Sequence, residues 1–245
     1  MQNCEAVVLV SGGIDSSVLL HQVSRQYSSI AALCIHYGQR HQKEMECARF
    51  QADAAGVASF LTLDLGCLGS FLKQASSLIN NGAPVPDLDT LSDSDREQPP
   101  TYVPNRNMIL LSVAAAYAES MGATRVLYGA QAQDEYGYWD CTGPFLDSIN
   151  ATLALNRRNK VVVEAPLIHN SKADNVRLGL ELGVDFSHTW SCYRGGEVAC
   201  GLCPTCVERL NAFETLGQID PLPYANKPKS TESTHVENKE SDSSH

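Results

Sequence analysis

One segment constrains this chain more than any other: Ala6-Val7-Val8-Leu9-Val10-Ser11-Gly12-Gly13-Ile14-Asp15-Ser16-Ser17-Val18-Leu19-Leu20. A short β-branched, apolar run stops at Ser-Gly-Gly, and a helical pattern starts at once. The spacing predicts a first strand, a tight glycine turn and a first helix. Gly12 and Gly13 remove side chains where the backbone turns and a ligand can come close. The free N–H groups at the helix start, with the positive end of its dipole, make the turn an anion site. Ser11, Ser16 and Ser17 add hydroxyl donors. A carboxylate beside a phosphate needs a bridging cation, so Asp15 points to Mg²⁺. The plainer reading makes Asp15 a helix-end carboxylate and the glycines a mere turn. The complete Ser-Gly-Gly-x-Asp-Ser run after a strand favours phosphate binding over Val10–Leu20. No Gly-Lys-Ser/Thr follows, so this is not a Walker A loop.

The chain alternates strand and helix from here. Ile30–Ile35, Ser59–Asp64, Thr124–Ala130 and Lys160–Ala165 complete five strands, with helices between them. The pattern predicts an α/β fold with a doubly wound, five-stranded parallel sheet, ligands lying at the carboxyl ends of the strands. One domain is expected over residues 1–219, carrying a cysteine-rich segment at 192–206. A polar tail at 220–245, plainest beyond Lys227, is expected to be disordered. A helix is expected from Ser70 to about Leu78. The acidic, Pro- and Ser-rich stretch that follows, to Pro100, has little that can pack; it reads as a mobile surface loop, either a lid or an idle insertion.

The net charge of −10 argues against tracking along nucleic acid. No run is apolar enough for a membrane span, and the first residues do not read as a secretory signal. Nine cysteines without such a signal suggest a reducing compartment, so a cytoplasmic setting is expected.

Candidate site residues cluster at strand ends. Tyr37 and Gln39 follow the second strand and are placed to read a flat ring. Arg106, beside a helix that Asn107 can cap, suits an anion. After the fourth strand come Asp134, Tyr138, Trp139 and Asp140; the aromatics can sandwich a heterocycle and the carboxylates can accept from its amino edge. Cys141 alone reads as a small buried hydrophobe. Lys172 sits in the first turn of a helix capped by Ser171, where a cation suits the dipole only if a phosphate arrives.

Near the end stand Cys192, Cys200, Cys203 and Cys206, the last three spaced Cys-x-x-Cys-x-x-Cys. Four thiolates fit a closed tetrahedral Zn²⁺ site, hence structural. The spacing also occurs in iron–sulfur proteins.

The glycine turn resembles the pyrophosphate loop of ATP pyrophosphatases. Taken with Tyr37-Gly-Gln-Arg-His41, Val103-Pro-Asn-Arg-Asn107, Gly137-Tyr-Trp-Asp-Cys141, Thr189-Trp-Ser-Cys-Tyr193 and the cysteine cluster, it resembles the 7-cyano-7-deazaguanine synthases of queuosine biosynthesis, over roughly Glu5 to Leu216. One departure is Thr142, where the family usually has arginine. The resemblance implies a homodimeric ligase with one structural Zn²⁺ per chain and Mg²⁺ with ATP. It would convert 7-carboxy-7-deazaguanine and ammonia to the nitrile through adenylated intermediates, releasing AMP and pyrophosphate. Val10–Leu20 would bind ATP and Asp15 would hold Mg²⁺. Arg106 and Lys172 would neutralise phosphate or carboxylate, and Asp134 with Tyr138 and Trp139 would hold the deazaguanine. With no glutaminase segment evident, free ammonium is the expected nitrogen donor. Neighbouring readings are a tRNA thiolase or lysidine synthetase of the same loop class, an enzyme that attaches the deazaguanine to a protein, or a zinc binding module with a relict pocket.

Overall fold

The computed structural model describes residues 4–40, 43–132 and 137–226, the side chains of 96 and 97 excepted. In chain order the elements are β1 (Ala6–Leu9), α1 (Ile14–Ser24), β2 (Ile30–His36), α2 (Lys43–Ala55), β3 (Ser59–Asp64), α3 (Gly69–Leu72), α4 (Asp93–Glu97), α5 (Arg106–Met121), β4 (Arg125–Leu127), α6 (Gly143–Leu153), β5 (Val162–Glu164), α7 (Lys172–Leu182) and α8 (Pro204–Thr215). Among the described residues the strands form one parallel sheet in the order β3-β2-β1-β4-β5. This is the expected doubly wound architecture.

Strand periodicity divides the core. Val7, Ala31, Leu33 and Val126 face a layer built from Leu111, Ala114 and Ala118 of α5 and Phe145 of α6. Ala6, Val8, Ala32 and Cys34 face the other way, onto Leu19, Leu20 and Val23 of α1 and Ala48 and Ala52 of α2. A third packing layer joins Ile14 and Val18 of α1 to Val176 of α7 and Phe213 of α8. Gly179 permits this approach: a Cβ there would lie 2.4 Å from the Phe186 ring and 2.8 Å from Val18. The sheet reverses direction of growth at β1, flanked by β2 and β4. That is the switch point where a crevice opens at the carboxyl edge.

Three expectations are corrected. The helix predicted over Ser70–Leu78 is only the short α3, because residues 76–83 instead wrap the Arg40 side chain. Its guanidinium donates to the carbonyls of Ser77, Gly82 and Ala83 at 2.8, 2.6 and 2.7 Å. The stretch to Pro100 is fastened rather than loose. Val85 is buried, Arg194 donates to its carbonyl and pairs with Asp87 at 2.5 Å, and Leu88 N–H donates to the Leu202 carbonyl. Lastly, the ordered chain does not stop at 219. Asp220 receives buried Arg209 at 2.7 and 2.9 Å, and Leu222 and Tyr224 pack on the cysteine cluster. The remainder of the expected tail, 227–245, lies outside the described residues. Among the described residues no helix is long and apolar enough to cross a membrane.

Candidate active site

A cavity of about 260 Å³ opens over the ends of β1, β2 and β4. The glycine turn forms its floor. Gly12 has φ +84°, and a Cβ there would lie 2.1 Å from the Glu44 carbonyl oxygen and 2.7 Å from Ala48 N, so the first turn of α2 seats directly on the glycine. Gly129, beyond β4, plays the matching part on the other side; a Cβ there would lie 3.0 Å from Ser16 N. The serines knit the turn. Ser11 N–H donates to Ser16 Oγ at 3.1 Å, the two hydroxyls are 3.0 Å apart, and Gly13 N–H donates to Ser11 Oγ. Of the segment Val10–Leu20, the residues lining the cavity are Val10, Ser11, Gly13, Ile14, Asp15 and Ser16. Gly12 lies under α2. Ser17, Val18, Leu19 and Leu20 are buried and do not line the cavity; Leu19 and Leu20 pack toward the sheet and Val18 toward α7.

Asp15 and Lys172 are brought together. Lys172 Nζ is 2.5 Å from Asp15 Oδ2, and Asn175 Nδ2 donates to Asp15 Oδ1 at 2.8 Å. Lys172 also lies 3.6 Å from Glu208 of α8, whose other oxygen accepts from Gln131. The capping box of Ser171 and Asp174 holds this end of α7 in place. The opposite wall carries Arg106, with Tyr37 and Cys141. Burial opposes its charge, but the surrounding Tyr37, Cys141, Tyr193 and Tyr138 raise its pKa further, so it is a permanent cation. Gln39 lines the cavity but works locally, accepting from Tyr37 N–H at 2.7 Å and donating to the Ile35 carbonyl.

The residues after β4 are placed differently from the sequence reading. Asp140 is buried, and its carboxylate accepts the Asn107 N–H at 3.0 Å, satisfying a free donor in the first turn of α5. Asn107 is therefore not the cap. That position falls to Asn105, with φ 54°, while Asn107 Nδ2 donates to the Asp140 carbonyl and to Cys141 Sγ. Tyr138 bonds Thr101 through its hydroxyl, and Trp139 is half exposed, edge-on to Phe145. Neither lines the cavity, and the two do not form a stack around it. Asp134 lies outside the described residues. Thr142 caps α6, accepting from Phe145 N–H.

Several cavity residues were not evident from sequence. Glu44 is one of them: in sequence it is simply a polar residue of a helix, and the seating of α2 on Gly12 turns it to the cavity. Burial raises its pKa to about 8, against the opposing pull of Arg106. Asn175, which does not line the cavity but holds Asp15 from behind, lies three residues after Lys172 and so on the same helical face. Trp190, Tyr193, Thr205 and Glu208 arrive with the cysteine-rich segment.

The four sulfur atoms of Cys192, Cys200, Cys203 and Cys206 lie within 4.8 Å of one another. Cys200 Sγ and Cys206 Sγ are 3.9 Å apart. A tetrahedron of sulfurs at about 2.3 Å from zinc has edges of about 3.8 Å, so the donor set fits a closed metal site such as zinc. Backbone N–H groups of Leu202 and Cys203 point at Cys200 Sγ, and that of Cys200 at Cys192 Sγ, the arrangement that steadies thiolates. Hydrogen bonds from Cys192 and Cys206 hold Cys203 far below the ordinary thiol range. Lys43 ties this segment to α2, donating to the Glu197 carbonyl at 2.6 Å and lying 4.4 Å over the Trp190 ring.

The whole arrangement, from β1 to the cysteine cluster, falls inside the match to the family model described as "Queuosine biosynthesis protein QueC", residues 5–217. The 7-cyano-7-deazaguanine synthase of Clostridium kluyveri is 39% identical over 228 residues, covering 90% of this chain and 97% of that protein. The 7-cyano-7-deazaguanine synthase of Thermoplasma acidophilum is 42% identical, covering 93% and 95%. Among solved structures, NMN synthetase from Francisella tularensis shares the fold at a TM-score of 0.50 and 14% identity, covering 89% of this chain and 79% of that one. A family model spanning strand, glycine turn and cysteine cluster, and relatives matched nearly end to end, make this chain a member of the QueC family of queuosine biosynthesis proteins.

Proposed function

We propose that the chain is a 7-cyano-7-deazaguanine synthase that activates a carboxylate with ATP and joins it to ammonia. The observation that carries this is the pairing of Asp15 with Lys172 above the glycine turn, across one cavity from Arg106. A carboxylate resists ammonia because oxide is a hopeless leaving group. Attack of 7-carboxy-7-deazaguanine on the α-phosphorus of ATP breaks the bond to pyrophosphate and forms an acyl-adenylate. The turn N–H groups and Lys172 receive the departing charge, and Arg106 anchors an anion on the far wall. Ammonia then displaces AMP to give the amide. A second adenylation, on the amide oxygen, lets AMP leave again as the nitrile forms.

One carboxylate beside phosphate is the donor set that Mg²⁺ favours, so Asp15 would hold it, and the ion supplies charge neutralisation. Zn²⁺ on the four cysteines supplies structure only, since sulfur fills every position. A homodimer and a cytoplasmic setting belong to the same reading. The test is product identification by mass spectrometry from ATP, Mg²⁺, ammonium and 7-carboxy-7-deazaguanine. The nitrile, AMP and pyrophosphate are expected; ADP with orthophosphate overturns the proposal.

A further inference from the structure

Two steps of the reaction proposed above release protons from nitrogen, and the inference here rests on that reading. When ammonia adds to the acyl-adenylate, the new C–N bond leaves a positively charged nitrogen. One N–H proton must depart as the C–O bond to AMP breaks. When the adenylated amide becomes the nitrile, further N–H protons leave with AMP. The first turn of α1 and Lys172 cannot take them: Asp15 is held by two donors and Lys172 is a cation.

We propose that Glu44 is the general base that accepts these protons. Its backbone carbonyl is fixed against Gly12, so the side chain is delivered to the cavity by the same contact that shapes the pyrophosphate turn. Among the described residues nothing hydrogen-bonds its carboxylate, whereas Asp15 and Asp220 each carry at least two donors and Asp140 accepts the Asn107 N–H. The titratable groups that face it are Arg106 from α5, Tyr37 from the loop after β2, Cys34 from β2 and Cys47 from its own helix. Arg106 is the one cation among them. It keeps the ionised form accessible without the close ion pair that would spoil a base. Burial places the carboxylate's titration near 8, close to where an acceptor for nitrogen protons must work. Each proton taken passes to solvent before the next step.

The test is Glu44→Gln in the metal-loaded protein, read in two stages. Carboxylate-dependent exchange of pyrophosphate into ATP, without ammonia, reports adenylation. Amide and nitrile formation at fixed free ammonia reports the nitrogen steps. E44Q is expected to go on exchanging pyrophosphate while nitrogen incorporation falls by about 100-fold or more. The wild-type nitrogen rate should climb with pH to a plateau above about 8, a limb absent in E44Q and returned in part by Glu44→Asp. E44Q that incorporates nitrogen at the wild-type rate, or that loses exchange together with incorporation, overturns the assignment. Wild-type protein that shows no exchange sinks the synthase reading itself, and this inference with it.

Discussion

Lys172 Nζ lies 2.5 Å from Asp15 Oδ2, joining the first turns of two helices 157 positions apart in the chain. Both side chains are largely withdrawn from water, so the pair is felt at close to full strength. Lys172→Met leaves Asp15 with Asn175 alone and removes the cation that faces the turn. Pyrophosphate release should fall by about 100-fold or more. Asp15→Asn should fall comparably, and the double variant should be little worse than either, because the two act as a unit. Losses that multiply, in the same release assay, would show that they act separately.

Gly12→Ala tests the turn. Its φ of +84° is strained for any side chain, and the new methyl would meet the Glu44 carbonyl at 2.1 Å. Since the obstacle is backbone, α2 must shift. The expected result is loss of ATP binding by calorimetry together with a lowered melting temperature. A variant that binds ATP as wild type does would refute the seating of α2 on this glycine.

How much of this was legible beforehand differs by kind of signal. The sheet was written in β-branched runs and helical spacing, both local, so its class followed from sequence. Asp15, Arg106 and Lys172 could be named because each breaks a local pattern: a carboxylate in an anion site, a cation at a helix start. That Asp15 and Lys172 touch could not be read, since contact depends on how α1 packs on α7. That Asp140 and Trp139 do not line the cavity was hidden for a related reason. Polar and aromatic residues at a strand end suit a ligand, yet here they satisfy the start of α5 and cover Phe145. Glu44 was hidden because the polar face of a helix and a cavity wall look alike in one sequence.

The cysteine cluster should carry about one zinc per chain by elemental analysis, at the four-sulfur stoichiometry. Cys203→Ser should release the metal and lower the melting temperature. It should also weaken ATP binding, because Trp190, Tyr193, Thr205 and Glu208 reach the cavity from this segment. ATP binding that survives metal loss would separate the two.

Arg209 and Asp220 form an ion pair that is 1% exposed on both sides, with Tyr224 donating a third bond to the carboxylate. Removing one partner strands a buried charge. Asp220→Ala, or truncation after residue 219, should cost about 3–5 kcal/mol in denaturant unfolding. A truncated chain as stable as the full one would show that residues 220–226 are dispensable.

Stability should also report Glu44. Its carboxyl is raised from 4.5 to about 8 on folding, so between those values the folded chain binds more protons than the unfolded one. This group's contribution therefore falls as pH rises through the window and levels off above about 8. Relative to Glu44→Gln, wild type should lose ground from pH 5 to 8 in parallel denaturant titrations, whatever the other carboxylates add. A constant difference between the two would place Glu44 in an ordinary, solvated setting.

The cavity gathers residues far apart in sequence, Ser11 beside β1 and Thr205, Glu208 and Arg209 from α8. The last strand of the sheet ends at Glu164, well before the chain reaches the α8 residues that line the cavity. A chain cut before Thr205 therefore keeps every strand of the sheet yet lacks part of the cavity wall.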